Sequence, residues 1–305
     1  MDEQAIRAQN LWSSFARKID PLDNGMELVA TPALDAADIG GLDGPKEEVA
    51  TYACAATSPH IYQSWGTQPP SGILFMGQRG SGKRLLAEAL ATQTDTSFLV
   101  IDVPRLVLDV IHAGKKASEL VQGWSDFLEE MPRLTVFFDE LEFSQAQEIG
   151  ERRPDLPVGP IMDFLLEIID RTIRVDGHLV VAATSHPDSL REAFVVPGRF
   201  ERLVEVRPRM PEDVVAALQI HARAAEKRAG RSLFESVQWE RVVVAARDAS
   251  IGDWVRILHA VLRRKARCEA AGEETGFVTT VDVQNEVERF TEARRQIRSG
   301  GGNYV

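Results

Sequence analysis

Apolar side chains recur at near-helical spacing over residues 3–19. Ile6, Trp12, Phe15 and Ile19 mark an amphipathic helix, which Pro21 and Asn24-Gly25 end. Such a helix packs on its own domain or on a neighbouring subunit; the alternative is a dedicated partner-binding helix. From residue 26 to 209 short apolar runs alternate with helical stretches. The runs are Ile73–Met76, Phe98–Asp102, Leu134–Asp139, Leu179–Ala183 and Leu203–Val206. Strands separated by helices predict an α/β domain, a parallel sheet with helices on both faces. Pro208 and Pro211 then mark a boundary. Only helical periodicity follows, near 211–229, 234–247, 251–271 and 280–298. The predicted organisation is therefore a helix and linker (1–25), a large α/β domain (26–209), a small all-α lid (210–298) and a flexible Gly-rich tail (299–305).

Composition narrows the class. A chain of 305 residues with 44% hydrophobic content can build real cores. Thirty-five basic residues against 46 acidic ones leave a net charge of −11, which argues against duplex nucleic acid as the main partner. Cys54 and Cys268 lie far apart, without metal-ligand spacing, and read as reduced structural thiols. The start is acidic and no apolar run approaches the roughly 18 residues of a membrane span, so a cytoplasmic location without membrane contact is expected.

The chemistry starts at Ser71–Ala91. The apolar run Ile73–Met76 leads into Gly77-Gln78-Arg79-Gly80-Ser81-Gly82-Lys83, and a helix bearing Leu85, Leu86, Ala89 and Leu90 follows. Strand, glycine-rich turn and helix N-terminus form a phosphate-binding loop: bare backbone lets N–H groups converge on phosphate oxygens, and Lys83 adds a point charge. The pattern ends GK[ST], its hydroxyl binding Mg²⁺, but here Arg84 follows the lysine. A second apolar run, Leu134-Thr135-Val136-Phe137-Phe138, ends in Asp139-Glu140. Opposite a phosphate loop, the first carboxylate suits a metal and the second an attacking water.

With those motifs in place, the chain resembles a single module of the AAA branch of the AAA+ ATPases over roughly residues 28–297. Asp38-Ile39-Gly40-Gly41-Leu42-Asp43-Gly44 is similar to the DIGGL segment, whose Ile and Gly backbone flanks adenine. Pro69-Pro70-Ser71-Gly72-Ile73-Leu74 resembles PPxGILL, Ala182–Asp188 resembles AATNRPD, and Pro197–Arg202 resembles PGRFDR. Leu218-Gln219-Ile220-His221 is similar to a helix whose His contacts the nucleotide, and Ser250–Trp254 resembles the SGADL segment that closes over adenine.

The resemblance implies ATP as cofactor, held by Asp38, Gly40, Gly77, Gln78, Arg79, Gly80, Ser81, Gly82, Lys83, Arg84, Asp139, His221 and Gly252, with Asp139 on Mg²⁺. It implies Glu140, Ser185 and a trans-acting Arg199 as catalytic residues, in a hexameric ring of this or a related AAA subunit acting on protein substrates.

Departures accompany it. Arg84 has no acceptor and cannot ligate Mg²⁺, although it could offset phosphate charge in the metal's place. Ser185 stands where an Asn orients the lytic water, and Val196 where many relatives carry another arginine finger. Together these predict that binding is kept and hydrolysis weakened. The alternative is a pseudo-ATPase, a scaffold or regulatory subunit of a hetero-ring. The substrate-gripping segment falls at Ile111-His112-Ala113-Gly114-Lys115, with His112 in the place of the usual large apolar residue. The ending Gly302-Asn303-Tyr304-Val305 is similar to the GQYL tail of actinobacterial proteasome activators; either Tyr304-Val305 docks on a 20S-type core, a ring for an apolar slot and a carboxylate for a basic residue, or the ending is a disordered tail without function.

Overall fold

The computed structural model describes residues 3–68, 70–113, 115–142 and 158–300. Gly114 of the expected gripping segment, Pro69 and the Tyr304-Val305 ending lie outside them. The chain folds as two compact units, one from Met1–Ala36, Asp43–Gln78 and Lys83–Val206, the other from Ala37–Leu42, Arg79–Gly82 and Arg207–Val305.

The larger unit is built on six strands: β1 (Met26–Val29), β2 (Ile73–Met76), β3 (Ser97–Asp102), β4 (Leu134–Asp139), β5 (Leu179–Thr184) and β6 (Arg202–Glu205). Their order is β1-β3-β4-β5-β2-β6. The pairings from β3 to β6 are parallel, as expected of apolar runs buried on both faces. β1, which the apolar pattern did not reveal, joins the edge antiparallel to β3, with Met26 opposite Ile101 and Val29 opposite Phe98. A four-residue strand with one charged position, Glu27, is too short to show a period-2 signal.

Helices cover both faces. Leu74, Leu99, Ile101, Val136 and Phe138 share one core with side chains of α5 (Val103–Ala113), α6 (Lys115–Glu130) and α7 (Val158–Arg174). Alternate strand residues bury on the opposite face, where α2 (Asp43–Thr57) and α4 (Lys83–Gln93) lie and where Phe98 stacks on Phe137 at 5.9 Å; α3 (Pro59–Ser64) packs on α2. α1 (Glu3–Ile19) packs on its own unit: Phe15 stacks on Phe127 at 4.5 Å and approaches Trp124 at 5.8 Å. Its buried stripe runs Ala5, Ala8, Trp12, Phe15, Ile19, while Ile6, expected on that face, is exposed. Two small alanines on the inner face carry no signal in a search for large apolar groups. His112 lies in the last turn of α5, exposed, its Nδ1 2.7 Å from the Leu108 carbonyl oxygen.

The smaller unit is helical, with α8 (Glu212–Ala229), α9 (Trp239–Val243), α10 (Ile251–Ala270) and α11 (Thr280–Gly300). Its core gathers Val214, Leu218, Trp239, Trp254, Ile257 and Leu258. The expected helix over 234–247 contracts to α9 and one 3-10 turn, Val244–Ala246. A capping box opens α10: the Ser250 hydroxyl accepts from the Asp253 amide at 3.1 Å, and the Asp253 carboxylate accepts from the Ser250 amide at 3.0 Å. Such a cap is worth about 1 kcal/mol.

Candidate nucleotide site

In the larger unit the site is assembled at the C-terminal ends of β2, β4 and β5. Beyond β2, the Gly77 amide donates to the Thr184 carbonyl at 3.1 Å, tying the loop to the end of β5. Lys83, the first residue of α4, is only 8% exposed. Its ammonium donates to the Gly77 carbonyl at 2.6 Å, the Gln78 carbonyl at 3.0 Å and the Ser185 hydroxyl at 3.1 Å. A buried cation is tolerated because such donors are satisfied. Gly77, Gln78, Lys83 and Ser185 are thus brought together.

The carboxylates end β4. The Glu140 amide donates to Asp139 Oδ1 at 3.0 Å, and Glu140 sits at φ +54°, in the left-handed region. For a non-glycine residue that conformation costs about 1–2 kcal/mol, the kind of strain kept where a side chain must be aimed. Burial pushes the Asp139 carboxyl above its ordinary range and the Glu140 charge adds to the effect, while the charges of Lys83 and Arg84 oppose it.

Glu142, two residues further on, went unrecognised in the sequence. It is buried, and its Oε1 accepts the Ser185 amide and the His186 Nδ1–H, both at 3.1 Å. Burial alone would raise its carboxyl, but hydrogen bonds from Thr184, its own amide, His186 and Ser185 outweigh that and hold it low. Its one sequence signal is the carboxylate in register with Glu140 in Asp-Glu-Leu-Glu.

Two arginines take partners that their motifs did not announce. Arg84 Nη2 donates to Glu27 on β1 at 2.7 Å, with side-chain exposures of 46% and 62%. Arg199 binds Asp170 of α7 through Nε at 2.7 Å and Nη2 at 2.9 Å, and the Ala193 carbonyl through Nη1 at 2.5 Å. The hydrogen bond from Arg199 draws the Asp170 carboxyl down against the cost of burial. Val196 is exposed.

The smaller unit holds the other expected residues. Gly80 has φ +76°, and a Cβ there would come 2.7 Å from the Ser250 hydroxyl, while the Gly252 amide donates to the Gly80 carbonyl at 3.1 Å. Ser81 is buried, and its hydroxyl has no hydrogen-bond partner among the described residues. Gly40 lies against α8: a Cβ would meet the Ala217 nitrogen at 2.1 Å. His221 on α8 faces His259 edge-on at 6.4 Å; burial first, then the His259 and Arg228 charges, lower its pKa and favour the neutral ring. Asp38, Arg79 and Gly82 lie on the expected segments, the first two exposed.

The donor set separates two ligands. Phosphate fits the larger unit's share of the loop, where the Lys83 ammonium is buried at the N-terminus of α4. A tightly held Mg²⁺ does not fit, because the position after Lys83 offers guanidinium donors instead of a hydroxyl acceptor.

A family model described as "ATPase family associated with various cellular activities (AAA)" matches residues 73–208. Three curated relatives are proteasome-activating nucleotidases. That of Halobacterium salinarum, number 2, is 34% identical over 67% of this chain and 49% of its own length. That of Methanocella arvoryzae is 32% identical over 67% and 49%, and that of Methanothermobacter thermautotrophicus 30% identical over 89% and 63%. The chain therefore spans about half the length of the first two and under two thirds of the third. With the loop, the paired carboxylates and the mostly parallel sheet, these similarities show an AAA-type ATPase domain over residues 73–208.

Proposed function

We propose that this protein binds ATP at Gly77–Lys83 and works as a ring-forming ATPase that remodels or unfolds protein substrates, with hydrolysis weakened by Arg84, Ser185 and Val196. The observation that carries the reading is the juxtaposition of a caged lysine with a strained carboxylate pair: the Lys83 charge acts on Asp139, and Glu140 stands next to it at positive φ. Lys83 binds phosphate, Glu140 polarises the attacking water, and Ser185 contacts the lysine where relatives orient that water. Arg199 serves a neighbouring subunit once it leaves Asp170. The relatives' printed name, proteasome-activating nucleotidase, supports a proteasome as partner, and the tail resemblance makes Tyr304-Val305 the candidate segment for docking on a 20S-type core. No described helix is long and apolar enough to cross a membrane, in keeping with a cytoplasmic protein.

The test is phosphate release from ATP by the purified full chain over a range of protein concentrations. Specific activity rises with concentration if Arg199 acts in trans, and Glu140→Gln lowers it at least about 100-fold. Turnover absent at every concentration makes the chain a binding module of a hetero-ring; turnover unchanged in Glu140→Gln removes Glu140 from the mechanism.

A further inference from the structure

Adjacent residues at the start of α4 give the loop two cations with opposite surroundings. Lys83 is caged by two carbonyls and a hydroxyl. Arg84 reaches out to Glu27, a surface carboxylate on the edge strand β1. Where a phosphate-binding loop ends GK[ST], the residue in Arg84's place supplies the hydroxyl of a metal ion bridging the phosphates. Here a fixed positive charge starts from that backbone position. It would repel a divalent ion, and its field acts together with that of Lys83 on Asp139, the carboxylate left to support such an ion.

A triphosphate, in contrast, meets complementary chemistry. The guanidinium fork matches phosphate oxygens two at a time and is always charged. The contact it must give up is weak, because the Arg84–Glu27 pair is exposed on both sides and screened by solvent.

We propose that nucleotide binding at this loop needs no divalent cation: the Arg84 guanidinium supplies the counter-charge for the phosphates, exchanging Glu27 for phosphate oxygens as the nucleoside triphosphate enters. This rests on the reading that Gly77–Lys83 binds nucleotide. It concerns binding alone and forms no covalent bond.

The experiment is equilibrium binding of a fluorescent ATP analogue to the full chain, once in excess EDTA and once in excess Mg²⁺. The two affinities of the unaltered protein agree within about threefold, and Arg84→Thr loses at least about tenfold in EDTA and recovers in Mg²⁺, as loss of a bidentate charged contact requires. Arg84→Lys, which keeps the charge without the fork, falls between them. Glu27→Gln releases the guanidinium and strengthens binding in EDTA by about two- to threefold, the scale of an exposed ion pair. Melting curves of each variant identify any that fails to fold; Arg84→Gln replaces Arg84→Thr in that event. Binding by the unaltered protein in Mg²⁺ but about tenfold weaker in EDTA overturns the proposal and leaves the nucleotide site standing, as does Arg84→Thr binding normally in EDTA. Binding in neither condition overturns both.

Discussion

The two units hold their candidate nucleotide residues by different means. In the larger one the residues are side chains held by charge and hydrogen bonding: Lys83 in its cage, Ser185 through its amide on Glu142, Arg84 on Glu27. In the smaller one Gly40 and Gly80 are defined by what they lack, since a Cβ at either would enter space already filled by Ala217 or Ser250. Side chains that pair through their tips can be exchanged and re-paired. Backbone pressed on backbone, as Gly40 is on Ala217, cannot. The departures from the family pattern at Arg84 and Ser185 fall in the larger unit, where a new side chain can find a new partner.

Three measurements bear on that contrast. The largest expected effect comes from emptying the cage: Lys83→Ala lowers ATP-analogue affinity by about 1,000-fold, or about 4 kcal/mol, as for truncating one side of a buried charged contact, and melting stays close to the unaltered value. Unfolding of the larger unit by this change would make Lys83 a structural residue instead. Next is Gly40→Ala, whose methyl group must displace the α8 backbone. It destabilises the smaller unit by about 3 kcal/mol, read by denaturant unfolding. A change under about 1 kcal/mol would mean that α8 yields and the contrast is weaker than the distances imply. Smallest is Ser185→Ala, which removes one neutral partner from Lys83 and weakens binding about threefold; a loss as large as that of Lys83→Ala would show that the hydroxyl, and not the carbonyls, holds the lysine.

The sequence made the contiguous features legible. β2 with its glycine turn and β4 with its carboxylate ending are local patterns, and each takes the expected strand and loop position. Partners set by distance in space were not legible. Glu27 lies 57 positions from Arg84 on a strand too short to announce itself, and Asp170 lies 29 from Arg199 inside a helix whose polar residues look like a solvated face. Glu142 was hidden for another reason: its ligands are backbone and side-chain groups following β5, 43 and 44 positions away. Motifs identify what a residue can do, whereas these partners decide where its side chain rests between events.

The aromatic residues of the two cores have a spectroscopic consequence. Of the five tryptophans, Trp12 and Trp124 are buried in the larger unit, Trp239 and Trp254 in the smaller, and Trp65 lies 84% exposed on the larger. Intrinsic fluorescence therefore carries a separate label for each core. With Trp65 replaced by phenylalanine, keeping either buried pair alone turns the emission wavelength into a gauge of one unit's unfolding, so a shared or a split transition can be seen without attaching a dye.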